Sequence, residues 1–145
     1  MVRHRKATLD DAPLLAELNH QLIRDEGHRN SMTVPELEER MRGWLAREYE
    51  AIIFEDETGV VAYALYRHDD REIYLRQFFV PRERRRRGFG RTAMGILRDE
   101  IWPREKQLLV EVLWHNTTAL HFWRAVGFEE YSLALEILPD VNKRL

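Results

Sequence analysis

The sequence contains no cysteine. Disulfides, thiolate metal sites and a cysteine nucleophile are therefore excluded, and the absence fits a cytoplasmic setting. Chain breakers are also sparse, with seven glycines and five prolines in 145 residues. No repeat, low-complexity tract or Gly/Ser-rich linker interrupts the chain, so one domain spanning residues 1–145 is expected at ~150 residues per domain. The longest uncharged apolar stretches, such as residues 60–66, fall far short of the ~20 residues that span a bilayer. The basic opening Met1-Val2-Arg3-His4-Arg5-Lys6 leads into no apolar segment, so neither a secretory signal nor a membrane partner is expected. Histidines 4, 20, 68, 115 and 121 show no metal-ligand spacing, and no metal site is expected. A net charge of −2 argues against a generally basic nucleic-acid binder.

What is present suits a packed globule: 44% hydrophobic, 33% charged and 10% aromatic residues. Residues 2–7 read as a first strand. Asp10 or Asp11 then caps a helix with Leu14, Leu15, Leu18 and Leu22 on one stripe. Thr33 with Glu36 forms a capping box for a second helix burying Leu37, Met41, Trp44 and Leu45. Three β-prone runs follow, residues 51–55, 60–67 and 73–80, separated by turn clusters. A helix then runs from about Gly88 to Trp102. Residues 108–113 form a strand, Asn116 caps a short helix closed by Gly127, and residues 131–138 alternate as a final strand. The order βααβββαβαβ is a mixed α/β (α+β sheet) class, with the 73–80 and 108–113 strands parallel across a helical crossover. Trp44, Trp102 and Trp114 read as packing residues.

Charge is unevenly placed. Arg82, Arg84, Arg85, Arg86, Arg87 and Arg91 fall within ten residues, interleaved with Gly88 and Gly90. The segment lies between a strand and an amphipathic helix. Glycine lets backbone N–H groups approach an anion closely, the helix N-terminus adds partial positive charge, and arginines add charge-assisted hydrogen bonds. This physics describes a diphosphate cradle. A surface turn with solvated arginines is the plain alternative. No Gly-Lys-Ser/Thr follows, which excludes a P-loop. Gly88, Gly90 and Ala93 with Glu111 match a dinucleotide fingerprint in outline. However, seven residues separate Val80 from Gly88, too few residues follow for a doubly wound sheet, and Glu111 falls inside its strand. A nucleic-acid role for the arginine run lacks any accompanying RNA or helix-turn-helix motif, so no nucleic-acid partner is expected.

Arg85-x-x-Gly88-x-Gly90 resembles the pyrophosphate-binding signature of the GNAT acyltransferase superfamily. Asn116-x-x-Ala119-x-x-Phe122-Trp123-x-x-x-Gly127-Phe128 is similar to that family's Asn-x-x-Ala-x-x-Phe-Tyr-x-x-x-Gly-Phe segment. The opening from Arg5 to Ala12 resembles its first strand and helix cap, so the resemblance covers nearly the whole chain. It implies acetyl-CoA as co-substrate, with the pantetheine arm pairing beside the strand ending Phe78-Phe79-Val80. Backbone amides of Arg86, Arg87, Gly88, Phe89, Gly90 and Arg91 would hold the diphosphate. Side chains of the arginine run, Arg85 included, could take the 3′-phosphate. Asn116 and Phe122 would line the other side, although Asn116 is equally a helix cap and Phe122 equally core.

The reaction so implied is direct attack of a primary amine on the thioester, with no covalent intermediate. Two positions depart from the family pattern. Trp123 stands where a tyrosine general acid is usual, and Arg76 and Gln77 stand where relatives carry a strand carboxylate. A thiol of pKa near ~8.5 can leave without an acid. Glu26 or His28, at the loop bordering the acceptor side, could accept the amine proton through water. Neighbouring acids there would attract an ammonium group, but a solvated helix end explains the same residues. The acceptor class left open is a small-molecule or peptide amine. A non-catalytic acyl-CoA-binding module is the rival reading. The tail after Phe128 has room for about one strand, which leaves a sheet edge open to homodimer formation.

Overall fold

The computed structural model describes residues 1–140. Its elements, in chain order, are β1 (Arg3–Lys6), α1 (Ala12–Glu26), α2 (Val34–Leu45), β2 (Tyr49–Asp56), β3 (Gly59–His68), β4 (Glu72–Phe79), α3 (Phe89–Ile96), β5 (Gln107–Val110) and α4 (Thr117–Ala125). The sheet order is β1-β2-β3-β4-β5, antiparallel up to β4 and parallel between β4 and β5. The mixed α/β class follows, with the parallel pair joined by the helical crossover expected of such strands.

The period-two alternation of β3 explains the layers. Tyr63 and Leu65 face a core shared with Leu15, Leu18 and Leu22 of α1 and with Leu37 and Met41 of α2. Ala62, Ala64 and Tyr66 face the opposite core, shared with Ala93, Met94, Leu97 and Trp123. β3 is thus buried on both faces along residues 61–66. Each fully buried Leu or Ile in these layers is worth ~1.5–3 kcal/mol relative to exposure.

Helix boundaries follow local chemistry. Thr33 accepts from the Glu36 N–H while Glu36 Oε1 accepts from the Thr33 N–H, at 3.4 and 2.8 Å, so the capping box forms as its spacing predicts. α1 stops at Gly27, whose φ of 68° is left-handed. On α1, Leu14 is 36% exposed, so the buried stripe is carried by Leu15, Leu18 and Leu22 instead. α3 changes to a wider π-turn over Leu97–Ile101 before Trp102.

A bulge in β4 positions the site. Leu65 pairs with Gln77 and Tyr66 with Leu75, which leaves Arg76 without a partner on β3. The β4–β5 ladder ends at Leu75 opposite Val110. From Arg76 onward, β4 therefore runs without β5 paired at its side.

The expected last strand is corrected. Residues 129–140 form no strand. Tyr131, Leu133, Leu135 and Ile137 are 79%, 82%, 91% and 98% exposed. The alternation is present in the sequence, but a strand needs a hydrogen-bonding edge, and this segment meets none among the described residues.

Candidate functional site

β4 delivers the chain directly into the arginine-glycine loop. After Phe79, a turn over Arg82–Arg84 leads to Arg86 at φ 67° and Gly88 at φ 77°, and α3 begins at Phe89. Gly88 occupies the N-cap and offers no capping side chain, so the first-turn N–H groups of α3 stay available. They point where a helix end attracts negative charge. The two glycines do different jobs. Gly88 supplies the left-handed conformation. Gly90 supplies space, because a Cβ there would lie 3.1 Å from Cε1 of Phe122.

The arginine run does not act as one patch. Arg82 and Arg85 both turn back to Asp25 at the end of α1, at 2.9 and 2.7 Å. Arg85 also donates to the Val80 carbonyl at 2.9 Å and lies over the Phe79 ring. Arg84 reaches the β2–β3 turn, donating to Thr58 through its hydroxyl and, at 3.0 Å, its carbonyl. Among the described residues only Arg86, Arg87 and Arg91 of the six are left without a side-chain partner. In this structure the Arg85 guanidinium braces the loop through Asp25 and the Val80 carbonyl.

α4 closes the other wall. Asn116 Oδ1 accepts from the Ala119 N–H at 3.1 Å, so its oxygen serves the helix cap. Phe122 stacks on Phe78 at 5.9 Å, with 14° between ring planes. Trp123 packs edge-on to Phe78, Phe122 and Phe128 and is 7% exposed. The indole is a packing group between β4 and α4. Trp44 and Trp102 also pack, whereas Trp114 is 83% exposed beyond β5.

On the opposite face of the sheet, Glu26 and His28 meet at 2.9 Å, one carboxylate oxygen against Nε2. Tyr63 donates to Gln77 Oε1 at 2.8 Å, and both are buried. Burial pushes the Tyr63 hydroxyl well above the usual phenol range, and the nearby charge of Glu26 pushes it in the same direction. Gln77, the partner of Tyr63, directly follows the bulged Arg76 on β4. Three residues of this region escaped the sequence reading in their present roles: Asp25 as an anchor, and Tyr63 with Gln77 as a buried polar pair. Leu75-Arg76-Gln77-Phe78 carries one signal for the last, since two successive polar residues break the strand alternation.

Comparison with known proteins agrees with this arrangement. The acetyltransferase (GNAT) family model matches residues 16–128. Among solved structures, a possible acetyltransferase of Clostridium difficile 630 is similar at a TM-score of 0.78 and 17% identity, covering 96% of this chain and 97% of that one. A predicted acetyltransferase of Clostridium acetobutylicum, solved with acetyl-CoA, gives 0.75 and 19% over 95% and 96% of the two chains. An aminoglycoside N-acetyltransferase in complex with CoA gives 0.75 and 14%, covering 97% and 95%. A search of curated proteins finds no match. With a family model spanning most of its length and the same fold in these structures, this chain belongs to the GNAT acetyltransferase family.

Proposed function

We propose that the protein transfers an acetyl group from acetyl-CoA to a primary amine by direct attack. The observation that carries this reading is the sequence of bulge, unpaired β4 edge and uncapped α3 N-terminus along one continuous stretch, residues 76–91. The amides of residues 86–91 would hold the diphosphate, and the unpartnered Arg86, Arg87 and Arg91 would add charge to it or to the 3′-phosphate. Phe78, Phe79 and Val80 offer backbone groups to the pantetheine arm as an added strand would. An N–H of Phe79 or Val80 would donate to the thioester oxygen as it gains charge. Asn116 and Phe122 form the far wall.

Chemistry at the amine falls to Glu26 and His28. His28 takes the proton that the ammonium must lose, and Glu26 holds the ring in orientation through their 2.9 Å contact. The neutral amine adds to the carbonyl carbon, the adduct's nitrogen releases its extra proton to solvent, and collapse of the adduct breaks the C–S bond to give the amide and the thiolate. The thiolate then receives the proton from His28 or from water. Trp123, buried in aromatic packing, does not serve this last step.

The test is CoA release over an amine panel with calorimetry for acetyl-CoA. Turnover that falls at least tenfold in Glu26→Gln and His28→Ala, with acetyl-CoA affinity within about twofold, supports the assignment. Tight acetyl-CoA binding without release over any amine favours the non-catalytic module. The tail bears on assembly. Residues 131–138 alternate apolar side chains in the open, and β5 is one of the two edges of the sheet, β1 being the other. A second copy brings both a matching strand and a matching edge, so we read the protein as a homodimer joined through this segment. Sedimentation should give a dimer that Leu133→Glu with Leu135→Glu converts to monomer; an unmodified chain that sediments as a monomer refutes it.

A further inference from the structure

The acidic cluster at the end of α1 is expected to draw a cation, but its side chains already have partners. Asp25 is held by two arginines, and Glu26 meets the His28 ring. Across the same face, Glu38 pairs with Arg42, Glu50 with Lys6 and His68, and Glu111 accepts from the Tyr74 hydroxyl at 2.6 Å. The unmatched charge on this face includes three cations, with Glu39 lining the α2 hollow beside Arg40. Arg40 of α2, Arg67 of β3 and Arg76 of β4 have no carboxylate partner among the described residues.

These three arginines are gathered around two rings. Arg40 lies 4.4 Å and Arg76 4.6 Å from the centroid of Trp44, so two guanidiniums share one indole. Arg67 and Arg76 both donate to the Tyr49 hydroxyl, at 3.2 and 3.3 Å. Trp44 and Tyr49 are themselves in contact, 5.3 Å between centroids. Arg40 donates once to Asn19, at 3.2 Å, and its buried Nε has no partner. Stacking on an aromatic face can hold one cation, but it leaves the repulsion between two unrelieved. Burial lowers the Arg40 pKa most, and the charge of Arg76 lowers it further. A neutral polar partner set, with forked donors left over, is the arrangement that accepts a carboxylate or phosphate in two-pronged fashion.

Position connects the cluster to the reaction. Arg76 is the bulged residue, adjacent to Gln77 and three residues before Phe79. Along a strand that separation is at most ~10 Å. Arg40 and Trp44 also line a hollow of about 520 Å³ along α2, which leaves room beside the cluster.

We propose that Arg40 and Arg76, stacked on Trp44 with Arg67 beside them, bind an anionic group of the amine acceptor. The acceptor then carries its amine and a carboxylate or phosphate several bonds apart. This rests on the acetyl-transfer reading above, since it assigns specificity to that site.

The experiment compares isosteric acceptors: 1,5-diaminopentane, 5-aminopentanoate and 3-aminopropyl phosphate, with CoA release as readout. One of the two anionic amines is expected to exceed the diamine in kcat/KM by at least tenfold, and which one leads identifies the anion. In Arg76→Gln the preference should fall to within about twofold through KM for the acceptor, with acetyl-CoA affinity unchanged. Arg76→Lys should retain part of it. Arg40→Gln is a second variant, to be used only where its melting curve remains cooperative. Equal or better use of the diamine by the unmodified protein overturns the proposal, as does an anion preference untouched by both substitutions. If no amine is acetylated, calorimetric titration with glutarate and with inorganic phosphate separates the two readings. Binding that Arg76→Gln abolishes upholds the anion site without acetyl transfer, and no binding overturns it.

Discussion

Gly90→Ala tests whether the loop and α4 are packed as tightly as the structure shows. A Cβ at this position would sit 3.1 Å from Cε1 and 3.3 Å from Cζ of Phe122, and 3.7 Å from Cγ2 of Val80. The ring must retreat by a few tenths of an ångström to restore contact. It is hemmed in by Phe78 on one face and by Trp123 at 5.0 Å. Overpacking of a well-filled site costs ~1–3 kcal/mol, which at this chain length lowers the melting temperature by roughly 3–10 °C. The assay is thermal unfolding of Gly90→Ala, Phe122→Leu and the double variant. Shrinking the ring gives the new methyl room, so the double variant should be more stable than the sum of the two singles by ~1 kcal/mol or more. Gly88→Ala is the contrast. A Cβ there would meet no atom within 4 Å, but the φ of 77° costs a non-glycine residue ~1–2 kcal/mol, and Phe122→Leu should not relieve that. Additive effects for Gly90→Ala with Phe122→Leu, or an unchanged melting temperature in Gly90→Ala, would refute the argument.

Asp25→Ala removes the carboxylate that anchors Arg82 and Arg85. Both arginines are substantially exposed, so the expected loss is modest, ~1 kcal/mol, read as a melting temperature roughly 2–5 °C lower; the loop's resistance to trypsin should fall more visibly, and an unchanged cleavage rate counts against the anchor. Asp11 receives two guanidinium bonds from Arg5 at 2.9 Å, which with the Thr8 N–H hold its carboxyl below the usual carboxylate range. A depressed native pKa means that its contribution is fully present above the unfolded value near 3.8 and is lost as pH falls below it. The melting temperatures of the protein and of Asp11→Asn should therefore differ at pH 7 and converge towards pH 3. Arg86→Ala with Arg87→Ala should weaken acetyl-CoA binding about tenfold and flatten its salt dependence, whereas Arg84→Ala should leave that affinity within about twofold.

Features set by neighbouring residues were legible in the sequence; features set by distant partners were not. The Thr33–Glu36 box and the Asn116 cap depend on spacings of three residues and form as read, and the apolar stripes of α1 and α2 form apart from the exposed Leu14 and the half-buried Trp44 and Leu45. The arginine-glycine loop was recognisable because its conformation is local to residues 82–91. The bulge at Arg76 is a property of pairing register between two strands, and only a pair of polar residues hints at it. Where Arg85 points depends on Asp25, 60 residues earlier in the chain. Residues 131–138 carry a strand's alternation, yet strand formation depends on an edge that the sequence of this segment does not contain. Trp114 shows the same limit: an aromatic residue signals apolar area, not what covers it.

The Arg82–Asp25–Arg85 clasp has a consequence for the order of events. It fastens the loop that follows β4 to the last turn of α1, and the next residues along α1's exit are Glu26 and His28. Under the proposed roles of Glu26 and His28, whatever steadies the loop also steadies the groups that would receive the acceptor's proton. That proposal then predicts a sequential scheme in which the donor thioester enters first and lowers the apparent KM for the amine. Severing the clasp at Asp25 would uncouple the two ligands, so that each would bind as though the other were absent.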